Sequence, residues 1–177
     1  MNDKHQHIEK AKQGQQQAFN SLLETHWDYV YNYLMKQTGD AYTTEEICIK
    51  TFARAFDKID QFDNKYTFKT WLITICKNLL IDEKRKKELE TTKIDKHINA
   101  IESEEQNIEE EIYQKEYVNT IKKVLNQLKV SDKIVLEKHL FEEKSYAEIA
   151  NDIKESINFT KVKILRAKRK LVKKINA

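Results

Sequence analysis

Aromatic and cationic side chains alternate over a short stretch in the first half of the sequence. Aromatic faces can stack on unpaired bases, and lysine and arginine side chains can follow the phosphates, so the pattern suits nucleic-acid binding. Taken alone it is a weak signal, because Phe68 and Trp71 would serve equally well in a hydrophobic core. The aromatic members are Phe62, Tyr66, Phe68 and Trp71, and the cations are Lys65, Lys69, Lys77, Lys84 and Arg85.

The end of the sequence has the layout of a helix-turn-helix. A short segment, residues 145–153, is followed by a brief turn and then by a long basic segment that begins near Ser156. Ser145, and Ser156 or Asn158, are the predicted N-caps of the two helices. In such motifs the second helix lies in the major groove of DNA. The alternative is a basic helix that is simply solvated on the outside of a bundle.

One face of the predicted second helix is apolar and the others are basic. Helical spacing places Thr160, Ile164, Ala167 and Leu171 together, and we expect this face to pack on Ile149 and Ile153 of the preceding helix. No Asp or Glu occurs among residues 156–177. Cations arranged along DNA gain binding energy from counterion release. The cations on the other faces of this helix are Lys161, Lys163, Arg166, Lys168, Arg169 and Lys170.

The elements that must position these side chains are predicted to be helical throughout. The chain has 177 residues, no proline and two glycines, whereas a sheet protein needs frequent turn residues. Apolar residues make up 40% and charged residues 34%, which excludes both a disordered chain and a membrane protein. We therefore predict an all-α fold with two helical domains.

An acidic segment divides the two domains in the sequence. The predicted boundaries are an N-terminal domain over residues 1–87, an acidic linker over 88–116 and a C-terminal domain over 117–177. The first domain should contain a long helix around Phe19 to Leu34 that ends at Gly39, and a second helix capped by Thr43 or Thr44. The basic flanks of the linker indicate a polyanionic partner.

Nothing in the sequence predicts catalysis, a metal or a cofactor. Cys48 and Cys76 lie in apolar surroundings outside any Cys-x-x-Cys pair, so we expect two small buried hydrophobes. The acidic pairs and triplets at 104–105 and 109–111 lack histidine partners, and no glycine run could grip a phosphate. No stretch is long and apolar enough to span a membrane, so a cytoplasmic location without membrane insertion is predicted.

The order of these parts resembles a bacterial sigma factor. The first part of the resemblance runs through Ala18-Phe19, Leu22-Leu23, Gly39-Asp40, Glu45-Glu46-Ile47, Thr51-Phe52 and Ala55-Phe56 to the stretch from Thr67 to Asp82. These residues resemble sigma region 2, which melts the promoter −10 element. The stretches 145–150 and 166–171 resemble region 4, which contacts the −35 element. With a short linker between them, the chain is similar to the extracytoplasmic-function group.

The resemblance implies roles for individual residues, and every one of these is an expectation. Residues that would dock on core RNA polymerase are Glu45, Glu46, Ile49 and Lys50. Residues that would contact the unpaired −10 strand are Asp63, Asn64, Lys65, Tyr66, Phe68, Lys69, Asn78, Asp82 and Arg85. Residues that would approach the −35 duplex are Ser156, Asn158, Phe159, Lys161, Lys163 and Arg166.

The sequence departs from the family pattern at several positions. Ile49-Lys50 replaces the usual Gln-Glu pair, Lys129 replaces a proline, and Lys154 stands where the turn of the helix-turn-helix commonly has glycine. Thr160 puts a hydroxyl where a buried valine is usual, which should loosen the packing by roughly 1 kcal/mol.

The resemblance implies a sigma-type initiation factor without an activity of its own. Core RNA polymerase, promoter DNA and an anti-sigma factor are the expected partners. The alternative is a free-standing helix-turn-helix regulator that binds duplex DNA without polymerase.

Overall fold

The computed structural model describes residues 3–94 and 118–177. Within these ranges the chain forms helices and no strands, which confirms the all-α prediction. The helices are α1 (Asp3–Lys12), α2 (Gln16–Thr38), α3 (Ala41–Asp57), α4 (Phe68–Ile94), α5 (118–125), α6 (Val130–Leu140), α7 (Tyr146–Ile153) and α8 (Ile157–Ile175), with a 3₁₀ turn at Ile59–Gln61 between α3 and α4.

The ends of α2 and α3 follow from two adjacent residues. Gly39 ends α2 as predicted: it adopts a left-handed conformation with φ 67°, and its N–H donates to the Met35 carbonyl at 2.9 Å. The predicted threonine cap of α3 is wrong. Asp40 is the N-cap, and its carboxylate accepts a hydrogen bond from the Thr43 N–H at 2.7 Å. A carboxylate also suits the positive end of the helix dipole better than a hydroxyl does.

The N-terminal core is aromatic. Phe52 and Phe56 of α3 are fully buried, and Trp27 of α2 stacks on Phe52 with ring centroids 5.7 Å apart. Cys48 and Cys76 are buried in the same cluster, as predicted. Burial raises the pKa of the Cys76 thiol to about 11 and that of Cys48 further still, so both stay protonated and behave as hydrophobes.

Helix α1 was not predicted. It contributes Ile8 and Ala11 to the N-terminal core. Two buried apolar residues among polar ones give almost no periodic signal, which is why the sequence pattern missed it. At the other end of the domain, α4 continues to Ile94, beyond the predicted boundary at 87. The remainder of the predicted linker lies outside the described residues.

A second, smaller core joins α5, α6, α7 and α8. The predicted packing of α8 on α7 is confirmed, because Ile164, Ala167 and Leu171 lie in one buried cluster with Ile149, and Ile153 packs at its edge. Thr160 is fully buried, and its hydroxyl donates to the Ser156 carbonyl at 3.0 Å. This hydrogen bond offsets the cost of burying the hydroxyl, which was expected to loosen the packing.

Helix α8 also belongs to the N-terminal core. Phe159 and Val162, on its first turns, are 1% exposed and are buried in the aromatic cluster of α1–α4 rather than in the smaller core. The two cores are therefore bridged by one helix that offers a different face to each.

The turn between α7 and α8 holds a lysine in a conformation that suits glycine. Lys154 has φ 56° and ψ 45°, and its N–H caps α7 by donating to the Asn151 carbonyl. A side chain in this left-handed region costs roughly 1–2 kcal/mol because its Cβ approaches the following carbonyl.

Lys154→Gly is therefore expected to stabilise the C-terminal helices by about 1 kcal/mol. The measurement is urea unfolding followed by circular dichroism. Lys154→Ala is the matched control, since it removes the same charge and keeps the Cβ. An equal gain in both variants would attribute the effect to charge and refute the conformational explanation.

Candidate nucleic-acid interface

The loop between the 3₁₀ turn and α4 is an ordered structure. The Asp63 carboxylate accepts a hydrogen bond from the Lys65 N–H at 2.9 Å, and the Asp63 backbone carbonyl accepts one from the Tyr66 N–H at 3.1 Å. Thr67 closes the loop, since its hydroxyl accepts from the Thr70 N–H at 3.2 Å at the start of α4. These short-range bonds fix the loop without occupying the side chains of Lys65 and Tyr66, which point away from the core and are exposed.

The loop borders a cavity of about 400 Å³. Phe62, Phe68 and Leu22 form apolar walls, and His26 lies among them. The imidazole is 5% exposed, its Nδ1 lies 2.9 Å from the Leu22 carbonyl, and its ring meets Phe68 edge-on at 5.2 Å. Further lining comes from Ile8, Asn64, Lys65, Tyr66, Thr67 and Lys69.

The cavity is chemically suited to a flat, partly polar group. Aromatic walls favour stacking, and the Asn64 amide, whose nitrogen donates to the Glu9 carboxylate at 3.5 Å, can accept a hydrogen bond through its oxygen. Tyr66 is 64% exposed at the rim, while Lys69 extends over the Tyr29 ring, with its Nζ 4.6 Å from the ring centroid. An unpaired base has this combination of a π face and polar edges.

The other predicted −10 residues continue along α4. Asn78, Asp82 and Arg85 are exposed and lie at helical spacing on one face. The Asp82 carboxylate lies 4.0 Å from the guanidinium of Arg54 on α3, which is a weak ion pair with the neighbouring helix. Trp71, two turns nearer the loop on the same face, is half-buried against Phe62, with ring centroids 5.2 Å apart. Phe68 is 6% exposed and is a wall of the cavity rather than a free ring.

The C-terminal motif has well-defined helix starts. Ser145 and Glu148 form a reciprocal capping box on α7, and the Ser145 hydrogen bonds lower the pKa of Glu148. Ser156 caps α8 by accepting from the Phe159 N–H at 3.2 Å, which settles the choice between Ser156 and Asn158. The predicted helix-turn-helix geometry is thus present in α7 and α8.

None of the six predicted −35 residues is freely exposed in this arrangement, since Phe159 is buried and the other five are half-buried. Lys161 donates to Glu45 of α3 at 2.7 Å. Arg166 donates to Asp57 of α3 at 2.7 Å, and its guanidinium lies 5.0 Å from the Phe19 ring centroid. Burial lowers the pKa of Lys163. The carboxylates of Glu155 and Asp132 raise this pKa and the charge of Lys170 lowers it, but burial has the largest effect.

The four predicted docking residues lie together on α3 and border a groove of about 290 Å³ between α3 and the α7–α8 pair. Lys50 bonds to Glu46 at 2.8 Å and to Glu83 of α4 at 2.6 Å. Burial opposes the charge on Lys50, but these two carboxylates outweigh it and raise its pKa. Ile49, beside it, packs partly against the N-terminal core.

In the ranges 3–94 and 118–177, no group of His, Cys, Asp and Glu is arranged to hold a metal ion. No helix of the same ranges has the length and apolar character of a membrane span.

Residues 22–90 match the sigma-70 region 2 family. This part of the chain, the region 2 domain hereafter, is similar to sigma-70 region 2. The domain contains α3, the loop, most of the cavity lining and the exposed face of α4. Neither the docking group nor the −10 group extends beyond it.

Two relatives of the chain are named as sigma factors of the extracytoplasmic-function (ECF) group. The chain is 38% identical over 80 residues to the ECF RNA polymerase sigma factor SigW of Bacillus subtilis, a match that covers 45% of this chain and 43% of that protein. It is 36% identical over 76 residues to the ECF sigma factor BldN of Streptomyces coelicolor, covering 42% and 29%. The chain thus spans less than half the length of these two relatives.

A third relative aligns over most of both chains. The RNA polymerase sigma factor YlaC of Bacillus subtilis is 25% identical over 157 residues, which is 88% of this chain and 91% of that protein. This alignment is long enough to include residues of the C-terminal domain as well as region 2.

Proposed function

We propose that this chain is a sigma-type transcription initiation factor that binds core RNA polymerase and directs it to promoters. The observation that carries the proposal is the region 2 match over residues 22–90, because those residues also build the cavity and the exposed α4 face. Relatives named as RNA polymerase sigma factors support the same activity. Polymerase would supply all the catalysis, and the working location would be the cytoplasm.

In the proposed mechanism the C-terminal helices contact the −35 element of the promoter and the N-terminal helices contact the −10 element. Helix α8 anchors on duplex DNA at the −35 element through Lys161, Lys163 and Arg166, where each neutralised phosphate releases counterions. The loop then captures a −10 base as it leaves the stack: Tyr66 and the aromatic walls stack on it, and Asn64 bonds to its edge. Binding energy that is available only to the unpaired strand stabilises the open state.

Docking on polymerase is assigned to the surface of α3. Glu45, Glu46, Ile49 and Lys50 present two carboxylates, an aliphatic side chain and a cation along one side of the helix. Ile49 and Lys50 replace the usual polar pair, so we expect the polymerase surface of the same organism to match them. An anti-sigma factor is the third proposed partner, and it rests on the family resemblance alone.

The test is affinity purification of the tagged chain from its own cells, followed by run-off transcription with added core polymerase. Stoichiometric polymerase subunits and new promoter-dependent transcripts are the expected result. Asn78→Ala should then leave the co-purified polymerase unchanged and lower open-complex formation several-fold, since it removes one polar contact to the −10 strand.

The same experiment distinguishes the rival function. If no polymerase co-purifies and the isolated protein binds duplex DNA at physiological salt, the chain is a free-standing helix-turn-helix regulator. Such binding would need α8 to be accessible without polymerase.

A further inference from the structure

A cavity of about 320 Å³ lies where α1, α2, α3, α6 and α8 meet. It shares no lining residue with the loop cavity or with the groove beside α3. Five cations and three carboxylates line it, which is an excess of two positive charges. The cations are Lys12, Lys129, Lys163, Arg166 and Lys170.

Three of the five cations form ion pairs. These pairs are Arg166 with Asp57 at 2.7 Å, Lys170 with Asp132 at 2.7 Å and Lys12 with Glu9 at 3.2 Å. Two of the three carboxylates in the lining are thereby neutralised. The third, Asp60, is exposed, so water screens its charge.

Lys163 and Lys129 are the two cations of the lining that have no direct partner. Within residues 3–94 and 118–177, neither side chain forms an ion pair or a hydrogen bond. Lys163 is also half-buried, and the carboxylates of Glu155 and Asp132 attract it only at longer range. A cation that is partly removed from water without a counter-ion costs free energy, and an anion in the cavity would offset that cost.

Lys129 stands where the sigma family usually has a proline, so this cation is a particular feature of the chain. It immediately precedes α6, which places its charge beside the positive end of that helix dipole. Ser131, in the first turn of α6, adds a hydroxyl donor to the lining. Two cations and a hydroxyl around one cavity suit an anion with several acceptor oxygens.

We propose that this cavity binds the diphosphate group of a small anion through Lys163 and Lys129. The group would come from free diphosphate or from a nucleotide. A small anion fits better than a DNA strand, because five helices line the cavity. The proposal goes beyond the proposed function and does not depend on it, since binding needs neither polymerase nor a promoter.

Isothermal titration calorimetry of the full chain with inorganic diphosphate, at an ionic strength held constant with chloride, tests the site. The wild type should bind a single diphosphate ion. Lys163→Met should weaken binding at least about tenfold, because it removes a charged hydrogen-bond donor and keeps the length of the side chain. Lys129→Ala should weaken it several-fold. Lys173→Met is the matched control, an exposed lysine of α8 outside the lining, and should change nothing.

Thermal unfolding supplies a second readout and shows that each variant folds. Without ligand, Lys163→Met should unfold at a higher temperature than the wild type, because it removes a half-buried charge that has no direct partner. Diphosphate should raise the unfolding temperature of the wild type and leave that of Lys163→Met nearly unchanged.

ADP, titrated in parallel, distinguishes the two sources of the diphosphate group. Equal affinities would identify the free anion, and tighter binding of ADP that Lys163→Met abolishes would identify a nucleotide. If Lys163→Met binds both probes as tightly as the wild type, the anions lie on the exposed basic residues of α8 and the proposal is overturned. Absence of binding to the wild type would overturn it as well.

Discussion

Replacing Tyr66 with alanine should lower promoter opening by about 5- to 150-fold while leaving polymerase binding unchanged. The ring is 64% exposed at the rim of the loop cavity, so its loss removes a stacking surface without disturbing the core. Stacking of a base on an aromatic side chain contributes roughly 1–3 kcal/mol, which gives the stated range. The measurement is the permanganate reactivity of −10 thymines in complexes assembled with core polymerase.

Tyr66→Phe is the matched control for this result. It keeps the aromatic face and removes only the hydroxyl, so it should open promoters nearly as well as the wild type. If phenylalanine is as defective as alanine, Tyr66 acts through its hydroxyl rather than by stacking. If neither variant is defective, the cavity does not capture the −10 base.

Replacing Phe52 with alanine should destabilise the region 2 domain by about 3–5 kcal/mol, the largest effect expected on stability. Phe52 is fully buried, stacks on Trp27 and lies 5.8 Å from the Phe56 ring centroid. Neighbouring rings are rigid and cannot close the cavity that alanine would leave. A loss of this size consumes much of the stability of a small domain.

The measurement is urea unfolding followed by tryptophan fluorescence. Both tryptophans of the sequence, Trp27 and Trp71, pack against the N-terminal core, so the signal reports that domain. Tyr42→Ala is the control on the same helix: its ring is 78% exposed, and the change should be within about 0.5 kcal/mol. Similar losses in both variants would mean that helix propensity, rather than core packing, limits stability.

Most predictions that depended only on local chemistry agree with the structure. The end of α2 at Gly39, the N-cap at Ser145 and the apolar stripe of α8 against Ile149 follow from residues that are close along the chain. The cap of α3 was mispredicted because Asp40 and Thr43 are both favourable N-cap residues and lie only three positions apart. The local sequence does not show which of them the helix uses. Helix α1 escaped prediction because only Ile8 and Ala11 mark its buried side.

The candidate site shows a different limit. The alternation of aromatic residues and lysines indicated nucleic-acid binding, yet it could not separate Phe68, a wall of the cavity, from Tyr66, a free ring at its rim. It also gave no sign of His26, which lies on α2 and reaches the cavity only because α2 packs beside the loop. Side chains far apart in sequence join one site through packing that no local pattern encodes.

The sequence by itself determined the helical class, the similarity to sigma region 2 and the types of residue available for DNA, because periodicity, capping and motif spacing are short-range properties. Only the tertiary structure decided that Phe159 and Val162 belong to the N-terminal core and that Lys161 and Arg166 face carboxylates of α3. A basic amphipathic helix carries the same pattern whether its cations face phosphates or carboxylates. The choice between them is made by the surface that packs against it.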